Sequence, residues 1–275
     1  MVRTLMCLPL CLILAPSYPA ETLALTGPES VRVFVTGPAV TDGLPDPAKD
    51  ILGFLEACLK RYDEKVKAYT LNFHKQERTL GTLHPWETIE VCYQDQPHRV
   101  FFDWQEGGRK PGAIKALYAE GENKNGTTGK SQIVALTNLG VTLNTDPDSN
   151  DSKRSARYPL SEFGLKQAMQ RVLEVWKAAD KEKNLHVEYL GLHTLPKADG
   201  QICHKIHRHS FARPEGEDGV NDVILYIDRE TLFQVGTILK GKDGELLGEY
   251  YFRNIQLNPT FGPEQFTKAM LKAKR

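Results

Sequence analysis

Apolar residues recur along this chain at two periods, and the order in which the periods change predicts an architecture. Ile51, Leu52, Leu55, Leu59, Tyr62 and Val66 fall at three- and four-residue spacing, the stripe of an amphipathic helix. Asp46-Pro47 ahead of them offers an N-cap residue followed by proline at the first helical position, so a helix is expected over roughly residues 47–67. The period then falls to two. Tyr69, Leu71 and Phe73 alternate with Thr70, Asn72 and His74; Glu87, Ile89, Val91 and Tyr93 form a second alternating run, and Val100, Phe102 and Trp104 a third. Each reads as a strand with one apolar face. Leu80-Gly81, Gln96-Pro97, Gly107-Gly108 and Pro111-Gly112 punctuate them. A fourth strand is expected over 113–120 and one or two more over 132–143.

A polar stretch rich in Asp, Ser and Arg, residues 146–157, reads as a loop. Helical spacing returns with Leu165, Met169, Val172, Leu173 and Trp176, in a helix capped by Ser161 and running to about Lys181. Strands resume over 185–192 and 201–210. The C-terminal block then holds three apolar runs, Asn221 to Asp228, Leu232 to Leu239 and Leu246 to Leu257. Asp243-Gly244 between the last two is a strong hairpin signal. The order is helix, sheet, helix, sheet, without alternating βα units. It predicts an α+β fold with one large antiparallel sheet and argues against Rossmann and barrel enzymes.

The N-terminus adds a compartment. Arg3 precedes the apolar stretch from Thr4 to Ala15, which is shorter than the ~20 residues of a membrane span. Residues 1–20 therefore read as a secretory signal, with cleavage near Pro16 to Ala20 and lipidation at Cys11 as a minor alternative. The expected location is exported: periplasm or extracellular space. Residues 21–45, rich in Gly, Pro, Thr and Ala, read as a linker with a short strand over Val31 to Thr36. Residues 46–275 form a single domain. No later segment is long and apolar enough to span a bilayer.

The balance of 35 basic and 35 acidic residues gives no electrostatic case for nucleic-acid binding. Cys58, Cys92 and Cys203 remain after the signal; an exported chain could join two of them in any of three pairings.

Chemistry-bearing motifs are sparse. Cys203, His207 and His209 share one strand face and carry ligands suited to zinc or copper, but Lys205 shares that face and same-face neighbours stand ~6.5–7 Å apart. Metal binding is thus an alternative, set against a solvated strand surface. Gly126 to Ser131 lacks the first glycine of a phosphate loop, with Lys124 in its place, and precedes a strand rather than a helix. A Gly-x-Ser-x-Gly elbow is absent. Asn125 and Asn150 head glycosylation sequons. No catalytic residue and no cofactor is expected. The remaining candidate site is the alternating apolar face: Tyr69, Leu71, Phe73, Ile89, Val91, Tyr93, Phe102 and Trp104, with Val100. These residues either form a packed core beneath the helices or line a concave cavity for a greasy ligand.

Several ordered motifs resemble an uncharacterised bacterial envelope family, domain of unknown function 1571. They are Phe73-His-Lys-Gln-Glu77-Arg78, Gly81-x-Leu83, Glu87-Thr-Ile89, Ala119-Glu-Gly121-x-Asn123, Arg157-Tyr-Pro159 through Gly164-Leu, Cys203-His-Lys-Ile206 with His209, and Ile227-Asp228. Tyr158 and Phe233-Gln234 depart from the family pattern. The resemblance spans about residues 51–266 and extends to the Lol-type lipoprotein carriers and lipoprotein-sorting proteins. It implies a half-open barrel, a curved antiparallel sheet with two main helices on its concave side. It also implies non-catalytic binding of a lipid, acylated protein or other hydrophobic envelope ligand. The rival is an interaction or scaffold module with a closed core.

Overall fold

The computed structural model describes residues 43–108, 112–123, 125–209 and 219–272. The expected signal, most of the linker and the strand over Val31 to Thr36 lie outside these residues. Among those described, twelve strands form one antiparallel sheet that curves without closing.

The first helix, α1 (Ile51–Lys65), starts later than the Asp46-Pro47 signal suggests. Asp46 caps only a preliminary turn, accepting from Ala48 N at 3.0 Å. Asp50 is the true N-cap and accepts from Gly53 N at 2.8 Å. The strands β1 (Ala68–Thr79), β2 (Thr82–Leu83), β3 (Glu87–Gln94), β4 (Arg99–Glu106), β5 (Ala113–Ala119), β6 (Ile133–Thr137) and β7 (Thr142–Thr145) follow in a meander. The stretch expected as a loop contains a short helix, α2 (Asn150–Ser155), because the Ser149 side chain caps it at Ser152 N. A 3-10 turn over Leu160–Glu162 comes next, and α3 (Leu165–Lys181) begins at Gly164 rather than at Ser161. The second half supplies β8 (Val187–Leu195), β9 (Gln201–Arg208), β10 (Asp222–Asp228), β11 (Gln234–Lys240) and β12 (Leu246–Leu257), then α4 (Lys268–Lys272).

The sheet runs β7-β6-β5-β4-β3-β1-β12-β11-β10-β9-β8, with β2 paired to β1. The two meanders therefore join where β1 pairs β12, with Phe73 opposite Phe252 and Lys75 opposite Tyr250. The predicted Asp243-Gly244 turn closes the β11–β12 hairpin: Gly244 sits at φ 77° and Gly241 N donates to Glu245 O at 2.9 Å. The Ile227-Asp228 turn is built by the Asp228 carboxylate, which accepts from Thr231 N and Thr231 Oγ1, both at 2.7 Å.

The concave face carries the main core, in which α1 and α3 pack against β1, β3 and β9 to β12. Its contacts follow the predicted alternation: Tyr69, Leu71, Ile89, Val91, Tyr93 and Val100 are all buried. A smaller core sits on the convex face, where Phe266 and Leu271 of the C-terminal tail cover Phe101, Leu117 and Val134.

Candidate functional site

The inner positions of the sheet change size from one part to another. Around β1 and β3 they hold Tyr69, Leu71, Val91 and Tyr93, and helix side chains fill the remaining space. Across β5 and β6 they hold Ala116 and Ala135, which face each other in register. Phe102 of β4 lies opposite Ala116. Two methyl side chains cannot reach α3, so the sheet and helix part there. The result is a cavity of about 1130 Å³ between the sheet, α3, the Leu160–Glu162 turn and α2.

Phe73, Phe102, Tyr250 and Phe252 form its floor, and Val172 and Val175 of α3 its roof. Phe163 holds this end together, with its ring 4.8 Å from that of Phe102 and 5.2 Å from that of Phe73. The β6–β7 hairpin forms a lip: Leu139, Val141 and Leu143 line the mouth while 72%, 51% and 51% exposed.

The eight apolar candidates divide between two environments. Phe73, Phe102 and Trp104 line the cavity; Tyr69, Leu71, Ile89, Val91 and Tyr93 lie in the packed part of the concave core. The wall also carries a polar group outside that set. Lys75 and Glu77 continue the inner face of β1 beyond Phe73, and Glu87 opens β3 beside them. Lys75 Nζ lies 2.8 Å from Glu77 Oε2 and 3.5 Å from Glu87 Oε2. Trp104 Nε1 donates to Glu87 Oε2 at 3.2 Å. Burial works to lower the Lys75 ammonium, but Glu77 and then Glu87 outweigh it and hold the group above the usual lysine value. A signal for these residues exists in the sequence: alternation carried past Phe73 puts Lys75 and Glu77 on the apolar face. Their convergence with Glu87 depends on strand register.

Cys203 lies apart from His207 and His209, whose rings sit 4.0 Å from each other. Four residues of strand place Cys203 and His207 roughly 13 Å apart. Cys203 is fully buried, and its thiol, pushed up to about 12 by burial and then by Asp228, contacts Gln201 O at 3.7 Å. His207 Nε2 pairs with Asp222 at 2.7 Å and His209 Nε2 with Glu188 at 3.1 Å. Among the described residues, no group of three or more His, Cys, Asp or Glu side chains is arranged to hold a metal. Cys58, Cys92 and Cys203 are free thiols. Gly126 to Ser131 sits in a hairpin loop closed by a bridge between Glu122 and Thr128.

A family model described as Protein of unknown function (DUF1571) matches residues 66–274. The chain belongs to this family. No curated protein matches the DUF1571 chain in sequence. Among solved structures, it is similar to a DUF1329 family protein from Desulfovibrio piger, at 10% identity over 82% of this chain and 100% of the other, with a TM-score of 0.40. It is also similar to the Pseudomonas aeruginosa MucA/MucB complex, at 13% identity over 78% and 60%, with a TM-score of 0.42. A third is the Mycobacterium tuberculosis lipoprotein LppX, at 11% identity over 72% and 92%, with a TM-score of 0.37.

Proposed function

We propose that this protein is an exported, non-catalytic carrier or sensor that holds the hydrocarbon part of an amphiphilic envelope ligand in its concave cavity. The observation that carries the reading is the cavity itself. Its volume of about 1130 Å³ lies just above the ~300–1,000 Å³ usual for ligand sites, and its walls are mostly apolar. A module with a closed core would leave no such space among the described residues. The exposed lip of Leu139, Val141 and Leu143 supports the same reading, because it offers an apolar path from solvent to the interior. No described helix is long and apolar enough to cross a membrane.

Magnitudes support a modest chain affinity. Burying a chain of about twelve carbons contributes on the order of 9 kcal/mol at ~0.8 kcal/mol per methylene. Association costs about 4–15 kcal/mol. Chain burial alone is therefore nearly offset, and polar groups on the wall are left to decide which head group is accepted. Phe73, Phe102 and Trp104 are assigned to chain contact.

Uptake of N-phenyl-1-naphthylamine, an uncharged dye that brightens in apolar sites, tests the reading, alongside native mass spectrometry after gentle extraction. The expected result is saturable uptake that Ala135→Trp abolishes while the urea midpoint shifts little. Absence of both uptake and co-purifying amphiphile would overturn it.

A further inference from the structure

Two polar side chains of β11, Gln234 and Thr237, line the cavity together. They are three residues apart, and in an unbroken strand such residues point to opposite faces. The pairing of β10 with β11 explains the exception. Tyr226 lies opposite Gly236, but the next residue, Ile227, lies opposite Gln234. Val235 is therefore the extra residue of a β-bulge, and the bulge turns Gln234 onto the concave face beside Thr237.

The pair is buried and incompletely matched. Gln234 is 2% exposed and Thr237 7%. Gln234 Nε2 donates to Thr237 Oγ1 at 2.7 Å, and the Gln234 carbonyl oxygen has no partner among the described residues. Thr237, as the acceptor in that bond, keeps its own proton to give. Turning the amide over exchanges the roles and again leaves one donor and one acceptor open. A buried acceptor without a donor has lost its solvation with no return, and a group in the cavity that donates to it restores the bond. The strand neighbours of the pair are uncharged: Ile227 lies beside Gln234, and Leu225 and Tyr250 flank Thr237. Lys75 and its carboxylates lie beyond Tyr250, on β1 and β3. A charged group brought to the pair would lose its hydration and meet no counter-charge there.

Resting on the carrier reading above, we infer that Gln234 and Thr237 read a neutral hydroxyl on the ligand's hydrocarbon chain, at the end remote from the head group. A hydroxyl donates and accepts through one small atom, and so matches both open positions. The apolar lip belongs to β6 and β7, and β5, β4, β3, β1 and β12 separate it from β11. A chain that enters over the lip reaches the pair last, which puts the hydroxyl near the chain terminus. A plain alkyl terminus leaves both polar groups unmatched, and a site of this kind discriminates against it.

Two probes differing in one terminal group test the inference. 16-Hydroxyhexadecanoate and heptadecanoate share a carboxylate and a chain of equal length, and end in a hydroxyl and a methyl. Each displaces N-phenyl-1-naphthylamine at pH 7.5, below its micelle concentration. In the wild type the hydroxy acid should bind about fivefold tighter or more. Gln234→Leu/Thr237→Val replaces both polar groups by apolar ones of similar shape. Its urea midpoint should be no lower than that of the wild type, and the ratio of the two affinities should move about tenfold or more toward heptadecanoate. Gln234→Met, which removes the open carbonyl alone, should move the ratio the same way and serves if the double variant does not fold. Preference for heptadecanoate in the wild type overturns the inference and leaves the carrier reading intact. A ratio unchanged in the variants also overturns it, by placing the preference elsewhere in the cavity. Failure of both probes and of the dye to bind defeats the carrier reading, and this inference with it.

Discussion

The backbone N–H of Leu165, the first residue of α3, donates to the hydroxyl of Tyr69 at 3.1 Å. Gly164, the N-cap, has no side chain to satisfy that donor, so a residue 96 positions earlier in β1 does so. Tyr69 is fully buried and stacks on Tyr93 at 4.3 Å, with the rings 6° apart. Tyr93 in turn accepts from Gln167 Nε2 at 2.8 Å. Two tyrosines of the sheet thus fix the start of the helix that roofs the cavity. Glycine is required at the junction: φ is 155°, and a Cβ there would come within 3.1 Å of the Tyr93 ring.

Tyr69→Phe should therefore cost about 1 kcal/mol, the usual loss for a helix N-cap, because it removes only the acceptor. Urea unfolding followed by circular dichroism measures it. A loss below roughly 0.3 kcal/mol would show that α3 does not depend on this contact.

Lys75→Met should be far more damaging than its size suggests. It leaves two carboxylates in an apolar wall, a change of the kind that costs about 3–5 kcal/mol. The triple variant Lys75→Met/Glu77→Leu/Glu87→Leu removes every charge together and should lie close to the wild type in stability. Equal destabilisation of both variants would mean that the cluster is not electrostatically coupled.

Mild acid should weaken the fold through its histidines. Burial lowers the affinity of His98 for a proton, with the Phe163 carbonyl and then Glu120 opposing. Burial likewise lowers His204, reinforced by Arg229. In both, the unfolded chain binds the proton more readily, so their contribution to stability is present above about pH 6.5 and is lost as pH falls through the lower folded values. His98 sits between the rings of Tyr93 and Tyr118, at 5.3 and 5.4 Å, and reaches Phe163 O at 3.2 Å beside the cavity. The urea midpoint should fall between pH 7.5 and pH 5, and His98→Gln should reduce that fall. An unchanged difference would remove His98 from the account.

The described thiols should be inert in the folded protein. Burial pushes Cys58 up to about 12; Cys92 rises to about 11 through burial and then Glu90. With Cys203 also raised, all three should resist iodoacetamide at pH 8 and react in denaturant, as peptide mapping by mass spectrometry would read. Rapid labelling of Cys58 without denaturant would contradict the packing of α1.

Part of the cavity lining was legible before folding was considered. Alternation marked Phe73, Phe102 and Trp104, and the same alternation continued two and four residues past Phe73 would have marked Lys75 and Glu77. Gln234 and the alanines were not legible, because a glutamine or an alanine on a strand has the same local pattern whether it faces solvent, core or cavity. The start of α3 was misplaced for a related reason. Ser161 is a good capping residue by type, but the helix waits for Gly164, where a tyrosine from a distant strand supplies the cap.

By itself, the sequence determined the periodicities, and with them the order of helices and strands, the Asp243-Gly244 hairpin and membership in the family. These rest on interactions between residues near one another in the chain, which one-dimensional patterns record. Tertiary structure decided that β1 pairs β12, that the concave face is full at Tyr69 and hollow at Ala116 and Ala135, and that Lys75, Glu77 and Glu87 meet. A cavity is the difference between the volume a curved sheet encloses and the volume its helices fill. That difference depends on strand register and helix placement, which no run of neighbouring residues encodes.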